Sequence, residues 1–338
     1  MFTVVRRREF IQRLFAGLGG ASLVFGGNRA LVAGADKSFR GIFPIMQTPF
    51  NDDETIDRVC LAKEVNFIVE AGGHGMCWPQ NGSEYSLLTD DERFRMAELI
   101  VKENRRRVPV IIGVQSTNYW KTALEFARHA EKIGADGIIS LPPSQNQPSE
   151  EDVIAYYRTL AKTVSLPIFI QDSGYPGGRG ISIDMIISLA RECPAVSYIK
   201  EEANPAYERV KELIQKGKGI MSGVFSGSGA SNLINEMSIG GNGSFPGADC
   251  IDVFAQVFNL YQAGDTEKAK ALFNGLKPML EGKFNVHWMI QMKEILRRRG
   301  VFKTTKSRLA PYELVWNNAQ NKAAFDEAYN AIKPLFKI

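Results

Sequence analysis

Residues 196–225 read VSYIKEEANPAYERVKELIQKGKGIMSGVF and contain the unit from which the fold is predicted. An apolar and β-branched run, 196–201, ends in charge. An amphipathic stretch follows at 205–216, and a second strand-like run follows at 219–225. Two such runs joined by a helix favour parallel strands with a right-handed crossover. The stretch therefore predicts one strand–helix–strand unit of an α/β fold.

The same alternation continues along most of the chain. Strand-like runs fall at 41–49, 75–79, 108–114, 137–141, 167–172, 196–201, 219–225 and 242–245. Amphipathic stretches fall between them, at 57–71, 89–104, 117–133, 149–164, 182–192, 205–216 and 230–239. Eight strands alternating with helices predict a (β/α)8 TIM barrel, whose active site lies at the C-terminal ends of the strands.

About 90 residues follow the last predicted strand, and they have a helical pattern. Four helices are predicted, at 250–263, 266–281, 284–299 and 317–336. We therefore expect three parts: an export signal at 1–35, the barrel at 36–248, and a C-terminal helical extension packed on the barrel at 249–338.

The beginning of the chain is typical of a twin-arginine export signal. Arg6, Arg7 and Arg8 precede an apolar, glycine-rich stretch at 14–27, and small residues suited to cleavage follow at 33–35. The apolar stretch is too short and too rich in glycine to favour a membrane span. The pattern predicts export to the periplasm and no membrane association of the mature form. A basic, disordered arm is the alternative interpretation.

Charge and composition exclude several classes of function. The chain has 41 Lys and Arg against 37 Asp and Glu. Five of the arginines and one of the acids lie in the first 35 residues, so 36 basic and 36 acidic side chains remain and no nucleic-acid partner is expected. The three histidines are not spaced as metal ligands, and neither a metal nor another cofactor is predicted. The spacing of the four cysteines does not indicate a disulfide pair.

Lys200 is the main candidate for a catalytic residue. It lies near the end of the run 196–201, where an ammonium ion is costly to bury, so a free amine is expected in part of the population. A free amine at the mouth of a barrel can form a Schiff base with a ketone. The alternative is a structural ion pair with Glu201 or Glu202. Because side chains alternate along a strand, only Glu202 is expected to share the face of Lys200.

Several motifs, in order, resemble the dihydrodipicolinate synthase / N-acetylneuraminate lyase family of class I Schiff-base aldolases. Thr48-Pro49-Phe50 is similar to the T-P-F that ends the first strand in that family. Ile199-Lys200-Glu201 matches its I-K-[ED] strand, whose lysine forms the Schiff base with a 2-oxo acid. Pro143 and Pro148-Ser149 bracket the loop after strand 4 as in P-Y-Y-x-x-P-[ST]. The resemblance covers about residues 38–338 and implies a divergent member with Lys200 as nucleophile.

The substrate-carboxylate loop of the family is altered here. Gln80-Asn81-Gly82-Ser83-Glu84 stands where the family has G-T-T-G-E or G-S-T-G-E. Asn81, Gly82 and Ser83 still offer an amide, a backbone N–H and a hydroxyl, so we expect them to bind the carboxylate. The alternative is a Gly-Ser turn that binds no ligand.

The tyrosine relay of the family is missing. The strand that carries Y-N-x-P in the family reads 167–174 PIFIQDSG here, with Ile170 or Gln171 at the tyrosine position. Asp172, at the end of that strand, becomes the candidate acid/base, although an aspartate that only shapes a turn is the alternative. Tyr175 in the following loop is a further candidate.

Three further residues are expected to bind substrate. Gln145 stands where the P-Y-Y pair is lost, Gln171 lies in the altered strand, and Arg179 is similar to an arginine that helps the family bind carboxylate. For Arg179 a surface position is the alternative.

These observations predict a Schiff-base lyase, aldolase or dehydratase that acts on a small-molecule 2-oxo acid or sugar acid. The alternative is a barrel that binds such an acid without turnover. A phosphate-sugar isomerase would need a stronger phosphate loop than Ser226-Gly227-Ser228-Gly229. The resemblance also implies a homo-oligomer, a tetramer or a dimer.

Overall fold

The computed structural model describes residues 38–117, 119–143, 148–174, 180–309 and 319–338. Eight strands and the helices between them alternate in this part of the chain. The strands are β1 Gly41–Ile42, β2 Met76–Trp78, β3 Val110–Gly113, β4 Gly137–Ser140, β5 Ile168–Asp172, β6 Val196–Glu201, β7 Gly223–Ser226 and β8 Gly243–Ser244. The order of elements is the predicted one, and most strands are shorter than their apolar runs.

Seven helices connect the strands, and an eighth follows β8. They are α1 Arg58–Glu70, α2 Asp90–Asn104, α3 Trp120–Ile133, α4 Glu150–Thr163, α5 Ile183–Glu192, α6 Ala206–Gly217, α7 Leu233–Ser238 and α8 Ile251–Gln262. Side-chain caps fix several of the starts. The Thr89 hydroxyl accepts from Glu92 N at 3.2 Å, and Glu92 Oε2 accepts from Thr89 N at 2.9 Å, which forms the predicted capping box.

The strands form one parallel sheet in the order β1-β8-β7-β6-β5-β4-β3-β2. The first and last strands of this order meet through the segment that continues β1. Ile45 bridges to Cys77 of β2, Met46 N donates to the Cys77 carbonyl at 3.0 Å, and Cys77 N donates to the Pro44 carbonyl at 3.0 Å. The sheet therefore curls into a (β/α)8 barrel, as predicted.

Apolar side chains pack in two layers. The larger layer lies between the sheet and the helices, and it includes Ile199, Ile170 and Val224. The smaller layer fills the inside of the barrel with an aromatic stack, defined here as Phe39, Phe43, Phe169, Tyr198, Phe225 and Phe245. Neighbouring rings of the stack have centroids 4.6–6.3 Å apart. The barrel interior is thus a packed core up to the level of the candidate site.

Helices also follow the barrel. They are α9 Thr266–Gly275, α10 Lys277–Leu280, α11 Trp288–Arg298 and α12 Ala319–Ile332. The single helix predicted at 266–281 is divided, because Pro278 at the start of α10 has no N–H to continue the ladder of α9. Within the described ranges, no helix is long and apolar enough to cross a membrane.

The helical extension is thus present in the predicted region, while the exact domain boundaries stay predictions. The predicted export signal lies outside the described residues, and the periplasmic location also stays a prediction.

Candidate active site

Lys200 points into the barrel. Strand alternation sends Ile199 and Glu201 toward the helices and Lys200 toward the interior, where its side chain is 2% exposed. Its Nζ lies 5.9 Å from the centre of the Phe245 ring, at the top of the aromatic stack. A cavity of about 370 Å³ opens beside it, and this Lys200 cavity takes part of its polar lining from Gln47, Asn81, Gly82, Lys200, Glu202 and Ser228. The inward orientation that the Schiff-base interpretation requires is therefore present.

Glu202 is the nearest charged neighbour of Lys200. Its Oε2 lies 3.0 Å from Lys200 Nζ and accepts from Gln171 Nε2 at 2.7 Å, while its Oε1 accepts from Ser228 N at 3.1 Å. Burial alone would raise the pKa of Glu202, but the Lys200 ammonium and the two hydrogen bonds outweigh burial and hold this pKa below its usual value. The resting site is thus an ion pair. The site therefore contains both the ion pair of the alternative interpretation and the cavity that catalysis requires.

The loop after β7 encloses the carboxylate of Glu202. A Cβ at Gly227 would lie 2.2 Å from Glu202 Oε1, so any other residue there would displace the Glu202 side chain from this position. Ser228 and Gly229 follow with φ of 50° and 65°, which directs the Ser228 N–H at the carboxylate. The sequence motif at 226–229 was considered as a phosphate loop, and the anion that it contacts in this structure is Glu202.

A bulge in the sheet decides which residue of β5 faces Lys200. Ile168 pairs with Val196, but Phe169 pairs with Tyr198, so Ser197 is an extra residue in β6. The shift places Gln171 opposite Lys200 and Asp172 opposite Glu201. Of the two residues proposed for the tyrosine position, Gln171 shares the face of Lys200, and Ile170 packs toward the helices.

The structure does not place Asp172 beside Lys200, and this corrects the expected geometry. Asp172 faces the helices, where its Oδ2 accepts from Arg209 Nη2 at 2.9 Å and from Ile181 N at 2.7 Å. Arg209 Nη2 also lies 3.1 Å from Glu201 Oε2. The alternation of side chains along β5 is the physical reason. Phe169 faces the barrel interior and Ile170 faces the helices, so Asp172, two residues after Ile170, also faces the helices. Asp172 and Glu201 share Arg209 in a buried cluster behind the site.

This cluster predicts a pH-dependent stability. Burial, followed by the nearby Asp172 charge, raises the pKa of Glu201 to about 7 from 4.5, against the opposing effect of Arg209. A carboxyl with a raised pKa in the folded state stabilises the fold fully below pH 4.5 and loses that contribution as the pH rises through about 7. Relative to Glu201→Gln, the wild type should lose up to about 3 kcal/mol of unfolding free energy between these pH values.

Denaturant titrations at several pH values would measure this difference, with Glu208→Gln on the exposed face of α6 as the matched control. Parallel pH profiles for the wild type and Glu201→Gln would contradict the prediction.

The altered carboxylate loop forms one wall of the Lys200 cavity. Asn81 and Gly82 line the cavity. Ser83 is fully buried behind them, where its Oγ donates to the Met46 carbonyl at 2.5 Å and accepts from Gln80 N at 3.0 Å. The structure therefore brings Asn81 and Gly82 to the same cavity as Lys200. The Ser83 hydroxyl instead holds the loop in place through its hydrogen bonds with Met46 and Gln80.

A buried ion pair anchors this loop to the C-terminal helices. Glu84 adopts a left-handed backbone conformation with φ of 59° and pairs with Lys293 of α11, and both side chains are fully buried. Glu84 Oε2 also accepts from Ser307 Oγ at 2.8 Å and from Arg308 N at 3.0 Å. Burial lowers the pKa of Lys293, although Glu84 opposes this effect. The wall with Asn81 and Gly82 is thus fixed by residues that the sequence analysis did not select.

Two expected substrate-binding residues, Gln145 and Arg179, lie outside the described residues, as does Tyr175. Their roles stay predictions. Strand alternation correctly predicts that Glu202 shares the face of Lys200, but the sequence did not indicate a catalytic role for it. The signal that could have identified it was its spacing of two residues from Lys200. No comparable signal pointed to Ser228, whose contribution is a backbone N–H.

Together, these features define a class of protein: a (β/α)8 barrel that presents a buried lysine to a small-molecule cavity at the C-terminal end of its sixth strand. Comparison with known sequences gives the family. Residues 38–326 match the sequence model of the Dihydrodipicolinate synthetase family, and the chain belongs to this family. The resemblance predicted from the sequence motifs is confirmed.

Curated relatives are similar at modest identity. An L-2-keto-3-deoxyarabonate dehydratase of Azospirillum brasilense is 27% identical over 274 residues, which cover 80% of this chain and 87% of the relative. A 4-hydroxy-tetrahydrodipicolinate synthase of Rhizobium meliloti (strain 1021) is 31% identical over 271 residues, covering 78% and 88%. The crystal structure of dihydrodipicolinate synthase from Aquifex aeolicus has the same fold, with a TM-score of 0.80 at 23% identity and coverage of 89% and 100%.

Proposed function

We propose that this protein is a lyase that acts on a 2-oxo acid through a Schiff base at Lys200. The observation that carries the proposal is the position of the Lys200 amine. It lies beside a cavity, and its Nζ is 3.0 Å from the Glu202 carboxylate, which can accept a proton from the amine and return it. The named activities of two relatives, a dehydratase of a 2-keto-3-deoxy acid and a synthase, support a lyase or dehydratase. The protonated imine itself supplies the electron sink, so the proposal invokes no metal or organic cofactor.

Glu202 would carry the protons in the first stage. Its carboxylate accepts a proton from the Lys200 ammonium, and the freed amine forms a C–N bond to the carbonyl carbon of the substrate. The resulting carbinolamine loses its hydroxyl as water when Glu202 returns the proton. Gln171 and the Ser228 N–H hold the carboxylate in place through both transfers.

The same carboxylate would act in the second stage. The iminium makes the neighbouring carbon acidic, and Glu202 takes a proton from it to leave an enamine. The enamine then expels a hydroxyl from the next carbon, which departs as water with the proton from Glu202, and hydrolysis of the imine releases the product and the lysine. Asn81 and the Gly82 backbone would hold the substrate carboxylate at the opposite wall. Glu202 thus replaces the tyrosine relay that the sequence lacks.

Borohydride trapping tests the proposal. The protein is incubated with pyruvate and borohydride, its intact mass is measured, and the modified peptide is mapped. A reduced adduct on Lys200 is expected. No adduct with pyruvate or with other 2-oxo acids would remove the Schiff-base function.

The role of Glu202 gives a separate prediction. Glu202→Gln keeps the shape and loses the proton exchange, so imine formation should slow by about 10²-fold. Glu202→Asp should recover part of the rate, and Glu208→Gln on the solvent face of α6 is the matched control. The rate of trapping measures the effect. A wild-type rate in Glu202→Gln would assign the proton transfer to another group.

A second candidate function is binding of a 2-oxo acid without turnover. The observation that favours it is Gln171, which faces Lys200 from the strand where the family resemblance expects a tyrosine. In that case a thermal shift with the acid would appear, but trapped adduct and product would not. Oligomeric state and export stay predictions for either function.

A further inference from the structure

The Lys200 cavity extends well beyond the lysine. It runs from β6 past β8 to the C-terminal helices, where α10 and α11 provide part of its wall. Its volume of about 370 Å³ lies in the range of small-molecule sites, about 300–1,000 Å³. The Lys200 amine and the loop with Asn81 and Gly82 together need only the carboxyl and carbonyl groups of a 2-oxo acid. The rest of the volume is therefore available for the remote part of the substrate.

The remote wall is mainly apolar. Its side chains come from helices α8, α10 and α11 and from the junction of α9 and α10, and they are Phe254, Leu276, Met279, Leu280, Met292 and Ile295. Most of these side chains are also part of the packed core, so the wall is a fixed surface. Burial of an apolar group against such a wall contributes binding free energy in proportion to the buried area.

The charges of the described lining residues do not favour an anionic remote group. Lys200 is the one lysine or arginine among the described lining residues, and Glu202 already pairs with it. The remaining carboxyl of the lining, Asp249, accepts a weak hydrogen bond from Cys250 Sγ at 3.4 Å. Burial raises the pKa of Asp249, which favours its neutral form. Among the lining residues that the structure describes, a second carboxylate or a phosphate would find no cation at this end.

We propose that the substrate is a 2-oxo acid whose chain beyond the reacting carbons carries a large apolar group, aromatic or branched aliphatic, bound between the barrel and helices α8, α10 and α11. This inference rests on the proposed function for the carbonyl end of the molecule. It assigns the specificity of the site to side chains of the helical extension. It also separates this protein from a barrel that binds pyruvate alone.

The first experiment compares three probes in the borohydride trapping assay: pyruvate, 4-phenyl-2-oxobutanoate and the hydroxylated 2-keto-3-deoxyarabonate. The concentration that gives half-maximal adduct is measured for each. The half-maximal concentration of the phenyl acid should be at least about tenfold below that of pyruvate, because a buried phenyl ring contributes at least this factor in affinity. The hydroxylated acid should show no such gain, because its hydroxyls lose water against an apolar wall.

A substitution in the wall provides the second experiment. Leu280 and Leu272 are both partly buried leucines of the C-terminal helices, and Leu280 alone of the two lines the cavity. Leu280→Trp fills the remote space and should reduce the preference for the phenyl acid over pyruvate about tenfold. Leu272→Trp is the matched control and should leave this preference unchanged. Thermal unfolding of both variants reports whether they are folded.

The outcomes separate the two proposals. Adducts with all three acids and no preference for the phenyl acid would overturn this inference and leave the Schiff-base function standing. If no adduct forms with any acid, the Schiff-base function fails. The apolar site is then tested separately, by the thermal shift that each acid produces. A larger shift with the phenyl acid than with pyruvate, lost in Leu280→Trp, would support the apolar site, and equal shifts would overturn it.

Discussion

Replacement of Lys200 by methionine is expected to abolish the borohydride-trapped adduct and to lower the rate of any lyase reaction by a factor on the order of 10⁴ or more. Methionine keeps much of the volume of lysine but removes the one amine among the described lining residues of the Lys200 cavity. The measurement is intact mass after trapping, together with product formation at saturating substrate. The loss should be in the chemical step, because the cavity walls are unchanged.

Two further variants separate nucleophilicity from charge. Lys200→Arg keeps a cation beside Glu202 but cannot supply a free amine, since the guanidinium does not lose its proton in proteins. It should stay folded and form no adduct. Lys200→Met leaves Glu202 without its cation, so Lys200→Met/Glu202→Gln serves as the stability control. An adduct that persists in Lys200→Arg would place the reactive amine on another lysine, and peptide mapping would identify it.

Replacement of Lys293 by methionine is expected to lower the free energy of unfolding by about 3–5 kcal/mol. The reason is the partner that remains, because the fully buried Glu84 would lose its cation. Among its contacts with described residues, the hydrogen bonds from Ser307 and Arg308 would remain. Lys293 Nζ also donates to the Lys306 carbonyl at 2.7 Å, and that contact disappears as well. Denaturant titration measures the change.

The double variant Lys293→Met/Glu84→Met is the informative control. It removes both charges, so it should recover most of the lost stability, because a buried ion pair contributes little net stability over apolar side chains of similar size. Lys268→Met breaks an exposed pair with Asp265 and should change stability by less than about 1 kcal/mol. A loss for Lys293→Met as small as that for Lys268→Met would show that the carboxylate loop does not depend on this anchor.

The order of elements could be predicted because it depends on local patterns. The alternation of apolar runs and amphipathic stretches gave eight strand–helix units, and the spacing of Thr89 and Glu92 gave the start of α2. The inward direction of Lys200 and Glu202 also followed, since side chains two residues apart on a strand share a face. Each of these depends on residues that are close in sequence.

The placement of Asp172 could not be predicted, because β5 is apolar on both faces and its sequence does not mark which face lies inside the barrel. One extra residue in β6, Ser197, moves the partner of Lys200 from Asp172 to Gln171. No local pattern in the sequence marks that bulge. The pair of Glu84 and Lys293 was also missed, since its partners are 209 residues apart and meet only when the C-terminal helices pack on the barrel. Long-range contacts of this kind require the packed structure.

The aromatic stack affects how substrate, water and product reach and leave Lys200. In the part of the chain that the structure describes, six packed rings close the barrel beneath Lys200, so molecules reach and leave the lysine from the mouth side. The water that cleaves the final imine must arrive by the route along which the product departs. A remote group that fits tightly would therefore delay its own hydrolytic release, and turnover would become limited by exit for the best-bound substrates.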